Sequence, residues 1–171
     1  MADLPSIPVL VRSFHPNDAE VCRRLYLEGP IGRANAKNDT GLDIDDIQNA
    51  YMNVPNSHFW VAEDPSGQVV GMIGVQQHES EEGEIRRLRV TANARRRGIG
   101  SALLETAVKF CRDKQHLKVI LDTSIDPEPA IKLFEKFFFR HSRTRVLGDK
   151  TLLYFYLDLY STEPSRKHPG K

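Results

Sequence analysis

Residues 92 to 104, "ANARRRGIGSALL", set three consecutive arginines against two glycines immediately ahead of an apolar run. Three chemistries suit that composition: holding a phosphate, gripping nucleic acid, or forming no more than the solvated start of a helix. A phosphate site needs backbone N–H groups converging on one point, and the first turn of a helix supplies roughly four that lack helical partners. Gly98 and Gly100 carry no side chain to hold a bulky anion away, Arg95, Arg96 and Arg97 add charge, and the helix dipole acts in the same direction. The spacing Arg95-x-x-Gly98-x-Gly100 suits a pyrophosphate between a strand and a helix. It is short, and alone it leaves a solvated helix start open.

The elements around this stretch must position it. "IPVLVRSF" (7 to 14) reads as a strand, followed by a helix capped near Asn17 and closed by Gly29. Residues 30 to 42 are a polar loop, and "DIDDIQNAYM" (43 to 52) is a short helix with Ile44, Ile47 and Tyr51 on one face. "HFWVAED" and "QVVGMIGVQQ" are strands joined by Pro65-Ser66-Gly67, whose turn chemistry makes a hairpin. "EIRRLRV" (84 to 90) follows, and strict alternation puts Glu84, Arg86, Leu88 and Val90 on one face. From Gly98, the residues Ile99, Leu103, Leu104, Ala107, Val108 and Cys111 have amphipathic helix spacing to about Lys114. "LKVILDTS" (117 to 124) suits a strand buried on both faces. "PEPAIKLFEKFF" is a helix, and "TLLYFYLDLY" (151 to 160) is the last strong strand. The tail 161 to 171 has no apolar anchor and reads as disordered, leaving residues 1 to 160 as one domain of mixed α/β class.

Composition narrows the function. With 24 Lys+Arg against 23 Asp+Glu, no whole-molecule field draws the protein to nucleic acid or a membrane, so any basic function is local. The arginines also lack interleaved aromatics, which argues against nucleic-acid binding. Neither a signal peptide nor a long apolar span is readable, and Cys22 and Cys111 fit helix interiors as free thiols, which together imply a cytoplasmic protein. The six histidines are scattered without ligand spacing, so no metal is expected.

With these elements in place, the sequence resembles the GNAT superfamily of acetyl-CoA-dependent N-acetyltransferases, whose signature R/Q-x-x-G-x-G/A lies between the fourth strand and the third helix. "VLVRSFHPNDAEVCRRLY" looks like the family's opening strand and helix, "HFWVAEDPSGQVVGMIGV" like its second and third strands, and "AIKLFEKFFF" like its A-x-x-L-Y-x-x-x-G-F helix. "SHFWVAEDPSGQVVGMIG" and "VILDTS" are similar to the camello-like branch, without that branch's apolar membrane segment. The resemblance implies a central twisted mixed sheet of six to seven strands flanked by about four helices.

The resemblance also implies a site. The backbone of Arg95, Arg96, Arg97, Gly98, Ile99, Gly100 and Ser101 would cradle the pyrophosphate of acetyl-CoA, and the strand Leu88-Arg89-Val90 would pair with its pantetheine arm. The Leu88 amide would then face the acetyl oxygen and stabilise charge developing there. Glu84, 14 positions before Gly98, matches the general base of the histone-acetyltransferase branch; a plain strand-end pairing with Arg86 is the alternative. Phe134 stands where the family commonly has a tyrosine that protonates the departing sulfur. Loss of that acid should slow the reaction rather than forbid it, because a thiol with a pKa of about 8.5 leaves tolerably at neutral pH. Tyr154, Tyr156 or Ser124 could supply the proton. Pro127 replaces a common CoA-contacting asparagine, and Phe138 a glycine, which suggests an altered turn.

The leading reading is thus transfer of acetyl from acetyl-CoA directly to a primary amine of a small molecule or peptide, without a covalent enzyme intermediate. The alternative, motivated by Phe134, is a weak or inactive CoA-binding module. By resemblance the acceptor pocket involves residues 29 to 56 and 141 to 150, where Arg33, Lys37, Asp39, Asp43, Asp45 and Asp46 select no acceptor charge. Monomer and homodimer are both compatible with this reading.

Overall fold

Hydrophobic alternation and turn chemistry carry the chain into a seven-stranded sheet. The computed structural model describes residues 4–29, 39–124 and 128–160. Its strands are β1 (Leu10–Ser13), β2 (His58–Glu63), β3 (Val69–His78), β4 (Glu82–Val90), β5 (Lys118–Ser124), β6 (Arg140–Leu147) and β7 (Lys150–Asp158). They lie in the order β1-β2-β3-β4-β5-β7-β6. β4 and β5 run parallel and the other described pairs antiparallel. The described helices are α1 (Ala19–Glu28), α2 (Leu42–Asp45, followed by a π-helical turn Gln48–Met52), α3 (Ile99–Asp113) and α4 (Glu128–Lys136). This is the expected mixed α/β architecture.

Each face of the sheet has its own core. On one side Ile73, Val75, Ile85, Val90 and Phe155 pack against Ile99, Leu103, Leu104, Ala107, Val108 and Cys111 of α3 and Phe134 of α4. The six α3 residues are those whose spacing marked a buried stripe, which is why α3 forms where it does. On the other side Phe59, Val61 and Met72 pack against Cys22, Leu25 and Tyr26 of α1 and Ile44 of α2, with Ile47 and Tyr51 alongside. Cys22 and Cys111 therefore sit in opposite cores as free thiols, and burial pushes each up to about 12. Gly29 (φ 80°) ends α1, and the Asp64 carboxylate accepts from the amides of Ser66 and Gln68 at 2.9 and 3.0 Å in the β2–β3 turn.

Two expectations from the sequence are corrected. Strict alternation fails in β4: Arg87 takes a left-handed φ of 59°, and the register with β3 slips between Met72 and Gly74, so that Arg87 and Leu88 oppose Ile73 alone. This bulge puts Leu88 and Val90 on the α3 face, while Glu84, Arg86 and Arg87 face the α1–α2 side. β5 is buried on one face only: Val119 and Leu121 enter the core, whereas Asp122 keeps an exposed surface. β6, "RHSRTRVL", is not anticipated by the sequence: it is a strand exposed along its whole length that no apolar alternation announces. No described helix is long and apolar enough to cross a membrane. The tail 161–171, Arg33, Lys37 and Pro127 lie outside the described residues.

Candidate active site

The site begins where two parallel strands part. β4 and β5 pair over three residues, Glu82–Glu84 with Lys118–Ile120, and beyond Glu84 they separate. The β5-facing edge of residues 85 to 90 therefore has no β5 partner, and the bulge at Arg87 interrupts the ladder on the other edge. An extended ligand laid in this opening would meet the β5-facing backbone edge of residues 85 to 90. Leu88 packs its side chain into the α3 core, and Val90 is buried there.

β4 runs directly into the glycine-arginine loop. Ala92–Ala94 makes a 3-10 turn, Arg95 is extended (φ −71°, ψ 157°), and Arg96 and Gly98 take left-handed φ of 64° and 85°. In this loop Arg95 Nε donates to the Val90 carbonyl at 2.9 Å, the Ala94 amide to the Thr91 carbonyl at 3.0 Å, and the Ile7 amide to the Arg97 carbonyl at 3.1 Å. Gly98 begins α3 without a side-chain cap, and no acid sits in the first turn, so the turn containing Ile99, Gly100 and Ser101 presents uncapped amides. The two glycines serve different needs. A Cβ on Gly98 would make only an ordinary contact with Ser6 Oγ at 3.8 Å, so Gly98 is required by its backbone, whereas a Cβ on Gly100 would come within 3.2 Å of Leu133 Cδ2, which sets the approach of α4. Arg97 Nε is buried with no hydrogen-bond partner in the protein, and Arg96 is exposed. Uncapped amides, guanidinium groups and an orphaned buried donor fit a pyrophosphate-bearing ligand. Arg89 donates from Nη1 to the Leu88 carbonyl at 3.1 Å.

Glu84 stands at the point of parting, with Gln76 of β3 and Ile120 of β5 as its register partners. Its side chain is 28% exposed, enough to reach a ligand and too little for full hydration. Burial holds the carboxyl above the usual glutamate range; Arg86 opposes and the charge of Asp122 reinforces that shift. The expected alternative, a Glu84–Arg86 pair, is loose: Arg86 Nε lies 3.7 Å from Glu84 Oε1, while Arg86 Nη1 donates to Gln76 Oε1 at 2.8 Å. Asp122 was not singled out by the sequence, being one acid in an apolar strand. Loss of water raises its carboxyl and Arg86 opposes. Tyr154 pairs with Asp122 and Tyr156 with Ile120, so both tyrosines share the face of Glu84. Ser124 ends β5 opposite Leu152.

Phe134 lies in the core, 5% exposed, its ring 6.0 Å from those of Phe139 and Phe155. Its expected contact with a ligand thus yields first to packing. At Phe138, where the resemblance has a glycine, the residue adopts a left-handed φ of 69° with its side chain in solvent.

The acids of the α1–α2 region have partners within the protein. Arg87, 8% exposed, donates to both oxygens of Asp39 at 2.6 and 2.9 Å and both oxygens of Asp43 at 2.9 and 2.6 Å, and lies 5.0 Å from the Tyr26 ring centroid. Tyr51 donates to Asp43 at 2.6 Å. Burial would raise Asp43, yet the bonds from Arg87 and Tyr51 bring it down to about 2. Asp45 pairs with Arg23, and Asp46 accepts from Asn49. This network ties the loop before α2 to the β4 bulge.

Comparison with known proteins agrees with the geometry. The acetyltransferase (GNAT) family matches residues 22–139. The chain is 35% identical over 107 residues to "Probable N-acetyltransferase camello" of Xenopus tropicalis, covering 61% of this chain and 48% of that protein. It is 34% identical over 119 residues to human "N-acetylaspartate synthetase", covering 69% of this chain and 39% of that protein. The chain thus spans less than half the length of these relatives. Among solved structures, yncA from Salmonella typhimurium, a putative acetyltransferase solved with its cofactor acetyl-CoA, aligns with a TM-score of 0.76 at 17% identity over 93% of this chain and 99% of that one. A GNAT acetyltransferase from Staphylococcus aureus Mu50 aligns with a TM-score of 0.77 at 19% identity over 88% and 99%. A strand pair that opens beyond Glu84, followed in the chain by an uncapped, glycine-led helix, is thus carried by a chain that belongs to the GNAT acetyltransferase family.

Proposed function

We propose that the protein transfers the acetyl group of acetyl-CoA to a primary amine of a small molecule or peptide by direct attack. The observation that carries this reading is the opening between β4 and β5 beyond Glu84, on the strand that leads into the uncapped N-terminus of α3. The loop Arg95–Ser101 would hold the pyrophosphate, and the exposed edge of Leu88, Arg89 and Val90 the pantetheine. Acetyl-CoA supplies an acyl group activated as a thioester.

An amine with a pKa of about 10 arrives as ammonium, so one proton must leave before its nitrogen can attack. Glu84 would accept it, a reading supported by its upward-shifted carboxyl, which is a better base than an ordinary one. The Leu88 amide would stabilise charge developing on the acetyl oxygen as the C–N bond forms. The C–S bond then breaks, and the second amine proton balances the departing thiolate. Tyr154 and Tyr156 stand on the cleft face and can relay that proton, which Phe134 cannot.

The test is a thiol-release screen with acetyl-CoA against amino acids, polyamines, aminoglycosides, cysteine conjugates and peptides. Turnover with one amine class supports the reading. Acetyl-CoA binding by calorimetry with no thiol release across the panel would replace it with a non-catalytic CoA-binding module, which Phe134 favours.

A further inference from the structure

β6 contains a charge arrangement the acetyl-transfer chemistry does not use. Its register with β7 slips between His141 and Arg143, leaving Ser142 as an extra residue whose hydroxyl donates to the Tyr154 carbonyl at 3.1 Å. The inserted residue has a geometric effect. Arg140 and Arg143, three apart, would point to opposite faces of a regular strand, but here they oppose Tyr156 and Tyr154 on one face. Arg145, opposite Leu152, joins them. Arg143 stacks over the Tyr154 ring at 4.4 Å, while His141 meets Phe155 on the other face.

These arginines are exposed, and among the described residues no carboxylate lies in ion-pair reach of any of them. Arg12, Arg23, Arg86 and Arg87, by contrast, each have an acid. The same face continues through Tyr156 and Ile120 to Glu84, and through Tyr154 to Asp122. Three strand spacings, about 14 Å, separate Arg140 from Glu84. The face therefore carries the carboxylates of Glu84 and Asp122 at the cleft, with Arg86 beside them and Lys118 over the Tyr156 ring, and is positive at the sheet edge.

We infer that the arginine row of β6 docks the acidic flank of a polypeptide acceptor whose amine lies at Glu84. Cleft carboxylates suit an ammonium, and an extended chain covers about 14 Å in roughly four residues, which brings acidic side chains to Arg140, Arg143 and Arg145. The free edge of β6 also offers backbone pairing to such a segment. A nucleic acid fits less well, since Glu84, Asp122 and Asp158 share this face and repel a continuous phosphate chain. The inference rests on the acetyl-transfer reading for the position of the amine.

The experiment uses the full chain and peptides with one free α-amine, bearing three acidic, neutral or basic residues at positions four to six. Thiol release with acetyl-CoA is read at low and high salt. The expected result is a kcat/KM for the acidic peptide about fivefold to tenfold above the neutral one, shrinking in high salt. In R140E/R143E/R145E that ratio falls to one or inverts toward the basic peptide, with acetyl-CoA affinity retained as a check on folding. Equal kcat/KM for acidic and neutral peptides overturns the docking strip and leaves acetyl transfer standing. If no peptide turns over, amide shift changes confined to residues 140 to 146 on adding an N-blocked acidic peptide sustain the strip while the transfer reading fails. Absence of those changes, or stronger shifts with a single-stranded oligonucleotide, overturns the strip.

Discussion

Arg87 and Asp43 are joined by two hydrogen bonds, Nε to Oδ2 at 2.9 Å and Nη2 to Oδ1 at 2.6 Å, across 44 residues of chain. The pair ties the conformation of the β4 bulge to the segment that leads into α2. One guanidinium thus joins the strand that carries the Leu88 amide to the segment before α2.

Arg87→Met leaves Asp39 and Asp43 without their cation and should cost about 3 kcal/mol, read as a lowered denaturant midpoint. The pH dependence has a defined sign. Because the folded Asp43 carboxyl is held down at about 2, its stabilisation is present above the unfolded value of about 4 and is lost as pH falls from there through 2. Acid titration of stability should be shallower in Arg87→Met than in the parent over that window; identical acid limbs would show that Arg87 does not govern Asp43.

Glu84→Gln should lower turnover at neutral pH about a hundredfold while leaving acetyl-CoA affinity nearly intact. The same change should modestly raise stability at neutral pH. Burial raises the Glu84 carboxyl, so the stability linked to its protonation is present below its unfolded pKa and is lost as pH rises through the folded one. Glutamine carries no such dependence. Stopped-assay rates and thermal melts across pH measure both effects, and unchanged turnover would remove Glu84 as the base.

Gly98→Ala should destabilise by about 1 to 2 kcal/mol and weaken acetyl-CoA binding, because alanine pays for φ 85° at the first residue of the loop-helix junction. Gly100→Ala should stay within about 1 kcal/mol of the parent, since its Cβ meets only the mobile end of Leu133 at 3.2 Å and gains helix propensity. Calorimetry on both variants distinguishes a backbone requirement from a packing one. Equal losses would contradict the assignment.

Phe138→Gly should stabilise by about 1 kcal/mol, because Phe138 holds a left-handed φ of 69° with a ring that is 71% exposed and has little packing to lose. A raised melting temperature is the measurement. A lowered one would mean that the exposed ring makes a contact worth more than the backbone strain.

Several elements could be read from residue spacing alone. The α3 stripe, the Pro65-Ser66-Gly67 hairpin and the glycine-arginine junction follow from periodicity and turn chemistry, which act over a few residues. Other elements depended on partners distant in the chain. The β4 bulge at Arg87 is invisible in "EIRRLRV", because it is set by Asp39 and Asp43, 48 and 44 residues away. β6 escaped because an edge strand facing solvent needs no apolar alternation. Asp122 became a site residue only when β4 and β5 were seen to part, and Asp39 and Asp43 passed from candidate acceptor ligands to partners of Arg87.

The burial of the two cysteines in opposite cores has a practical result. Cys22 and Cys111 are each 0% exposed, and their thiols are pushed up to about 12, so neither forms appreciable thiolate at assay pH. In a disulfide-reagent colour reaction the folded protein should therefore stay silent, and absorbance would count coenzyme product alone. Slow colour without any amine would then report unfolding, giving one reagent two readouts.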